Sequence, residues 1–141
     1  MPGFSKKIKI YTDGGSRGNP GPSAIGVVVL ADGEVVHEIS RAIGVTTNNV
    51  AEYQAVIDSL KWIAQLDEPD RPKEINWFLD SKLVVEQLSG RWKIKDEKMR
   101  QLATDIWQRL ARLELKSSFN HVPREKNRSA DALVNQALDS L

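Results

Sequence analysis

Asp32-Gly33 stands between two β-branched runs, residues 24–31 and 34–42. Asp-Gly supplies the two positive φ angles of a type I′ turn, so this step predicts a tight antiparallel hairpin. Residues 7–12 alternate apolar and polar, which adds a first strand and makes an antiparallel meander. The period then changes. From Val50 to Leu66, Tyr53, Val56, Ile57, Leu60, Ile63 and Ala64 recur at helical spacing. Residues 67–72 form a polar, proline-bearing connection to a short strand at 75–79. Ser81 is placed to cap a helix through Leu88, with Gly90 as its stop, and Asp96 to cap another with Met99, Leu102, Ala103, Ile106 and Leu110 inside. Residues 113–120 read as the last strand, and Ser129 as the cap of a last helix carrying Leu133, Ala137 and Leu138. The order βββαβααβα predicts an α/β fold. Three antiparallel strands are followed by two that join in parallel through helical crossovers, giving a five-stranded mixed sheet flanked by helices.

The 141 residues suit one domain, expected over 6–141, with residues 1–5 a flexible N-terminus that has no signal-peptide core. No stretch approaches the roughly 18 apolar residues of a membrane span, so no membrane partner is expected. With no cysteine, disulfides and thiolate metal sites are excluded; a reducing, cytoplasmic setting and a monomer are expected. The net charge of +1 conceals clusters. Arg91, Lys93, Lys95, Lys98 and Arg100 surround Trp92, and Arg124, Lys126 and Arg128 precede Asp131.

Four acids hold telling positions. Asp13 is expected to end the first strand before Gly14-Gly15, and Asp80 to end the fourth. Glu52 lies near the start of the first long helix and Asp131 in the first turn of the last. Each has an ordinary structural alternative. Asp80 and Asp131 suit helix starts, and Glu52 follows Asn49 at capping-box spacing. Nothing about a strand end requires an acid before two glycines. If the first and fourth strands are neighbours, Asp13 and Asp80 meet at one edge, within reach of both helix starts. Four carboxylates together cannot all stay ionised without a cation. Oxygen ligands suit Mg²⁺ or Mn²⁺, and a pair of ions about 3.5–4 Å apart suits in-line phosphoryl chemistry.

The chain resembles type 1 ribonuclease H. The matching pieces are Tyr11-Thr12-Asp13-Gly14-Gly15-Ser16 with Gly18-Asn19-Pro20-Gly21, Thr46-Thr47-Asn48-Asn49 with Ala51-Glu52, Leu79-Asp80-Ser81, and Asn127-Arg128-Ser129-Ala130-Asp131-Ala132-Leu133. They follow the family's order over nearly the whole chain. The resemblance implies a ribonuclease H-like fold and an endonuclease. It would hydrolyse the RNA strand of an RNA/DNA hybrid with two divalent ions, leaving 5′-phosphate and 3′-hydroxyl ends. Double-stranded RNA is an alternative substrate. Asp13, Glu52, Asp80 and Asp131 fall on the metal-binding carboxylates. Asp13 would bridge both ions, Glu52 and Asp80 hold the nucleophile side, and Asp131 the other.

Substrate contacts implied by position are Gly14, Gly15, Ser16, Asn48, Asn49 and Ser81, with Glu52 also accepting a ribose 2′-OH. Asn19 and Thr47 match residues that hold a phosphate of the DNA strand, but Val45 stands where well-known bacterial members carry an arginine. The segment after Gly90 is short, so grip would fall to Trp92, Lys93 and Lys95, unless Trp92 packs on the core. His121 lies about ten residues before Asp131, at the count of the family's proton-transfer loop. It is followed by Val122-Pro123 in a loop without glycine, so either His121 serves that role or Arg124 or Glu125 works nearer the metals.

Overall fold

A computed structural model describes residues 6–141; the N-terminal expectation for residues 1–5 lies outside them. Strands β1 (Lys7–Ser16), β2 (Gly21–Ala31) and β3 (Glu34–Thr46) form the meander. Helix α1 (Asn48–Gln65) leads through a short 3₁₀ turn at Glu68–Asp70 to β4 (Glu74–Leu79), α2 (Lys82–Leu88) and α3 (Glu97–Arg112). Strand β5 (Lys116–His121), a second 3₁₀ turn at Arg124–Lys126 and α4 (Arg128–Asp139) complete the chain. The sheet order is β3-β2-β1-β4-β5. Strands β1, β2 and β3 pair antiparallel, and β4 and β5 join in parallel. Asp32 and Gly33 take φ of 53° and 80°, as the hairpin turn requires. The expected element order and mixed sheet are what the chain forms.

Three boundaries differ from the sequence reading, each for a local reason. Strand β1 does not end at Asp13. Gly14 and Gly15 stay in it, opposite Ile25 and Ala24, because pairing with β2 outweighs the poor strand propensity of glycine. The 113–120 strand starts only at Lys116, since α3 runs to Arg112 and Glu114 turns the chain at φ 53°. Ser129 does not cap α4, because the helix has already begun at Arg128 with Asn127 at the N-cap position. Ser81 and Asp96 do cap their helices, accepting from the Val84 and Met99 backbone N–H groups at 3.3 and 2.8 Å.

The two sheet faces are covered unequally. On one, Ile8, Ile10, Val27 and Trp77 pack with Val56, Leu60 and Ile63 of α1 and with Met99, Ala103 and Ile106 of α3. On the other, α4 contributes Val134 and Leu138, which enclose Ala24. Asp13 sits in the central strand between these two supports.

Candidate active site

Two glycines build the site by omission. A Cβ on Gly14 would overlap the Ala51 carbonyl of α1, and one on Gly26, the residue opposite Asp13 in β2, would overlap the Ala130 carbonyl of α4. Without side chains at those points, both helix starts press onto the sheet beside Asp13. One delivers Glu52 and the other Asp131, residues adjacent to the two contact points. The glycines therefore serve helix docking. Gly26 escaped the sequence reading, although a lone glycine inside a β-branched run signals close backbone approach.

One oxygen from each of Asp13, Glu52 and Asp80 lies within 4.8 Å of the others, the kind of cluster that could hold a metal ion. Glu52 Oε1 accepts from the Gly14 N–H at 2.7 Å, which replaces the capping-box reading: Thr47 is the α1 cap, accepting from Val50 N–H at 3.3 Å. Glu52 Oε2 is buried with no hydrogen-bond partner. A buried carboxylate oxygen without a donor is costly unless a cation or proton meets it. An all-oxygen cluster with such an orphan fits a hard divalent ion.

Burial pushes the Asp13 carboxyl up from 3.8 to about 7; Asp80 and Asp131 add to the rise, while the adjoining Glu52 carboxyl opposes it. Burial first, then the charge of Asp13, holds Glu52 well above the usual carboxylate range. Asp131 stands outside the tight trio, on the wall of the same open cavity of about 410 Å³, and Asn135 Nδ2 donates to its Oδ2 at 3.3 Å.

Asn127 is a further organiser. Its buried Nδ2 donates to the Thr12 carbonyl at 2.9 Å and to Asp80 Oδ2 at 3.3 Å, tying β1, the end of β4 and the start of α4. Asn127 was within the matched motif, but its position at a helix start gave no hint of a bond to Asp80.

Gly14, Gly15, Ser16, Asn48, Asn49 and Ser81 line the cavity. Asn48 Oδ1 accepts from the Ser16 N–H at 2.8 Å, and Asn19 Oδ1 from the Asn48 N–H at 3.0 Å, so the glycine-rich loop is strapped to α1. Asn19 and Thr47 thus lie beside the cavity with oxygens engaged by α1. Val45 is 74% exposed. Of the three alternatives in the last loop, Arg124 lines the cavity. His121 is exposed at the end of β5; Arg91 above all, then Lys82 and His121, hold the Glu86 carboxyl of α2 below its usual range. Glu125 faces a separate cavity with Tyr11, Val28 and Val35. Trp92 is 44% exposed, with Lys82 Nζ 5.9 Å from its ring centre; Ile94, rather than Trp92, packs on the core. Lys93 and Lys95 are exposed and lie apart from the carboxylates.

The reverse transcriptase-like family model matches residues 11–137. Ribonuclease HI of Halobacterium salinarum is 42% identical over 145 residues, covering 99% of this chain and 68% of that protein. The chain belongs to the type 1 ribonuclease H family. A bifunctional protein of Mycobacterium tuberculosis is 45% identical over 95% of this chain, which spans only 36% of that relative. Among solved ribonucleases H, LC11-RNase H1 in complex with RNA/DNA hybrid superimposes with a TM-score of 0.90 at 42% identity, covering 94% of this chain and 97% of that one. The crystal structure of the Halobacterium salinarum enzyme gives 0.88 at 40% identity, covering 96% and 99%.

Proposed function

We propose that this chain is a metal-dependent endoribonuclease that hydrolyses the RNA strand of RNA/DNA hybrids, leaving 5′-phosphate and 3′-hydroxyl ends. The observation that carries the proposal is the trio Asp13, Glu52 and Asp80, with its orphaned buried Glu52 oxygen, in a cavity edged by Asp131. The hybrid complex of LC11-RNase H1 supports the choice of substrate.

In this reading Asp13, Glu52 and Asp80, with Asp131 at the cavity wall, would hold two Mg²⁺ or Mn²⁺ ions. Bound there, the ions would supply an activated water and neutralise charge at the leaving 3′ oxygen, which is why no Ser or Cys nucleophile is needed. The protein's own work is positioning. Gly14 N–H fixes one Glu52 oxygen and leaves the other for a ligand. Asn127 and Asn135 hold Asp80 and Asp131. Asn48 and Asn49, which line the cavity, would make sugar and base-edge contacts, and a 2′-OH accepted by Glu52 would mark the RNA strand. Asn19 and Thr47 would take a DNA-strand phosphate beside exposed Val45, and Trp92, Lys93 and Lys95 would steady the duplex farther out. Of the three loop alternatives, Arg124 would work nearest the reacting phosphate, a choice supported by its place in the cavity lining.

The proposal extends to a monomer acting in the cytoplasm, to be checked by sedimentation and by locating tagged protein in cells. No helix among the described residues is long and apolar enough to cross a membrane. Cleavage of end-labelled hybrid, double-stranded RNA and DNA duplex of one sequence, with Mg²⁺ or Mn²⁺, tests the core of it. Hybrid cut in the RNA strand and intact in Asp13→Asn is the expected result. Equal cutting of double-stranded RNA would broaden the substrate, and a hybrid left intact in both ions would refute the proposal.

A further inference from the structure

A cavity floored by carboxylates must still accept a polyanion. Two cationic side chains line it: Arg124, just ahead of α4, and Arg17, at the far end of the same helix. The 12 residues of α4 span roughly 18 Å, so the two arginines meet different parts of a strand lying along the cavity.

The Arg17 backbone is fixed. Its N–H donates to the Pro22 carbonyl at 2.8 Å, and its neighbour Ser16 is held by Asn48. Among the described residues its guanidinium is held from outside, by Asp139 Oδ1 of α4 at 2.5 Å. The two side chains are 49% and 68% exposed. An ion pair so open to solvent is worth little and is easily exchanged. A phosphate offers the same guanidinium a bidentate, charge-assisted contact together with release of bound counterions. Nothing in the turn from Ser16 to Gly18 calls for a charged residue on structural grounds.

From this we infer that Arg17 is a substrate-binding residue, parked on Asp139 in the free protein and transferred to a backbone phosphate of the nucleic-acid strand that occupies the carboxylate cavity. The inference rests on the hybrid reading above.

Fluorescence anisotropy of a labelled hybrid, over a series of salt concentrations, tests it in the Asp13→Asn protein with Mg²⁺, where substrate is not consumed. Arg17→Ala should weaken binding about five- to tenfold at low salt and reduce the slope of log K against log salt by about 0.9, one phosphate contact. Asp139→Asn should bind as tightly as the parent or two- to threefold more tightly, about the gain expected on freeing one weakly paired cation. That gain should vanish in the Arg17→Ala background. If Arg17 merely clamps its loop to α4, both single variants should weaken binding alike and lower Tm alike. That result, an unchanged salt slope in Arg17→Ala, or an Asp139→Asn gain that survives without Arg17, would overturn the assignment. A parent protein that binds no hybrid would overturn the substrate reading and this assignment with it.

Discussion

The two helix starts that flank Asp13 are held in different ways. Helix α1 is capped by Thr47 and backed by Val56, Leu60 and Ile63 in the main core, and its Glu52 is buried. Helix α4 has no side-chain cap bond at Asn127 and rests on a small cluster of Ala24, Val134 and Leu138; its Asp131 is only partly buried. The contrast predicts that, under strain, the α4 side yields before the α1 side.

The strongest way to break this comparison is to refill the two glycine gaps. Gly14→Ala forces a methyl group into the α1 backbone, which is backed by the main core, and should cost roughly 3 kcal/mol of stability. Gly26→Ala pushes on α4, whose apolar support is the smaller cluster, so the helix should lift at a cost of about 1 kcal/mol while hybrid cleavage falls at least tenfold. Urea denaturation together with initial rates would separate the two. Equal stability losses would mean that α4 is as firmly seated as α1.

The second test removes charge in metal-free buffer. Asp13 and Glu52 are both raised, so the native state keeps protons that the unfolded chain loses as pH climbs above about 4. Their contribution is complete below the unfolded value of 3.8 and is lost as pH rises through about 7, the folded value for Asp13. Asp13→Asn should therefore gain roughly 2 kcal/mol at pH 8 without metal, little at pH 4, and lose turnover in Mg²⁺. Melting curves at both pH values check this. An Asp13→Asn protein less stable than its parent at pH 8 would contradict the crowding of the carboxylates.

A smaller effect sharpens the comparison at the helix caps. Thr47→Ala should cost about 1 kcal/mol, whereas Ser129→Ala, a residue inside the first turn of α4, should change stability by less than about 0.5 kcal/mol.

Much of this was legible because local chemistry and tertiary structure agree. Asp32-Gly33, Ser81 and Asp96 each solve a backbone problem within a few residues, and the sequence shows both the problem and its solution. Non-local demands were hidden. Whether Gly14 continues a strand depends on Ile25 opposite it, and the value of Gly26 depends on Ala130, 104 positions later (130 − 26). The same holds in the last loop. Counting back from Asp131 points to His121, but β5 aligns His121 with Leu79 beside α2 and leaves Arg124 to face the cavity.

The exposed link around Glu68–Asp70 divides the carboxylates evenly, with Asp13 and Glu52 before it and Asp80 and Asp131 after it. Expressed as two fragments cut at that link, neither piece would own a complete ligand set. The parallel seam between β1 and β4 would have to re-form before a divalent ion found its site. Metal affinity would then report on reassociation of the two halves, and nuclease activity would become a property of the pair.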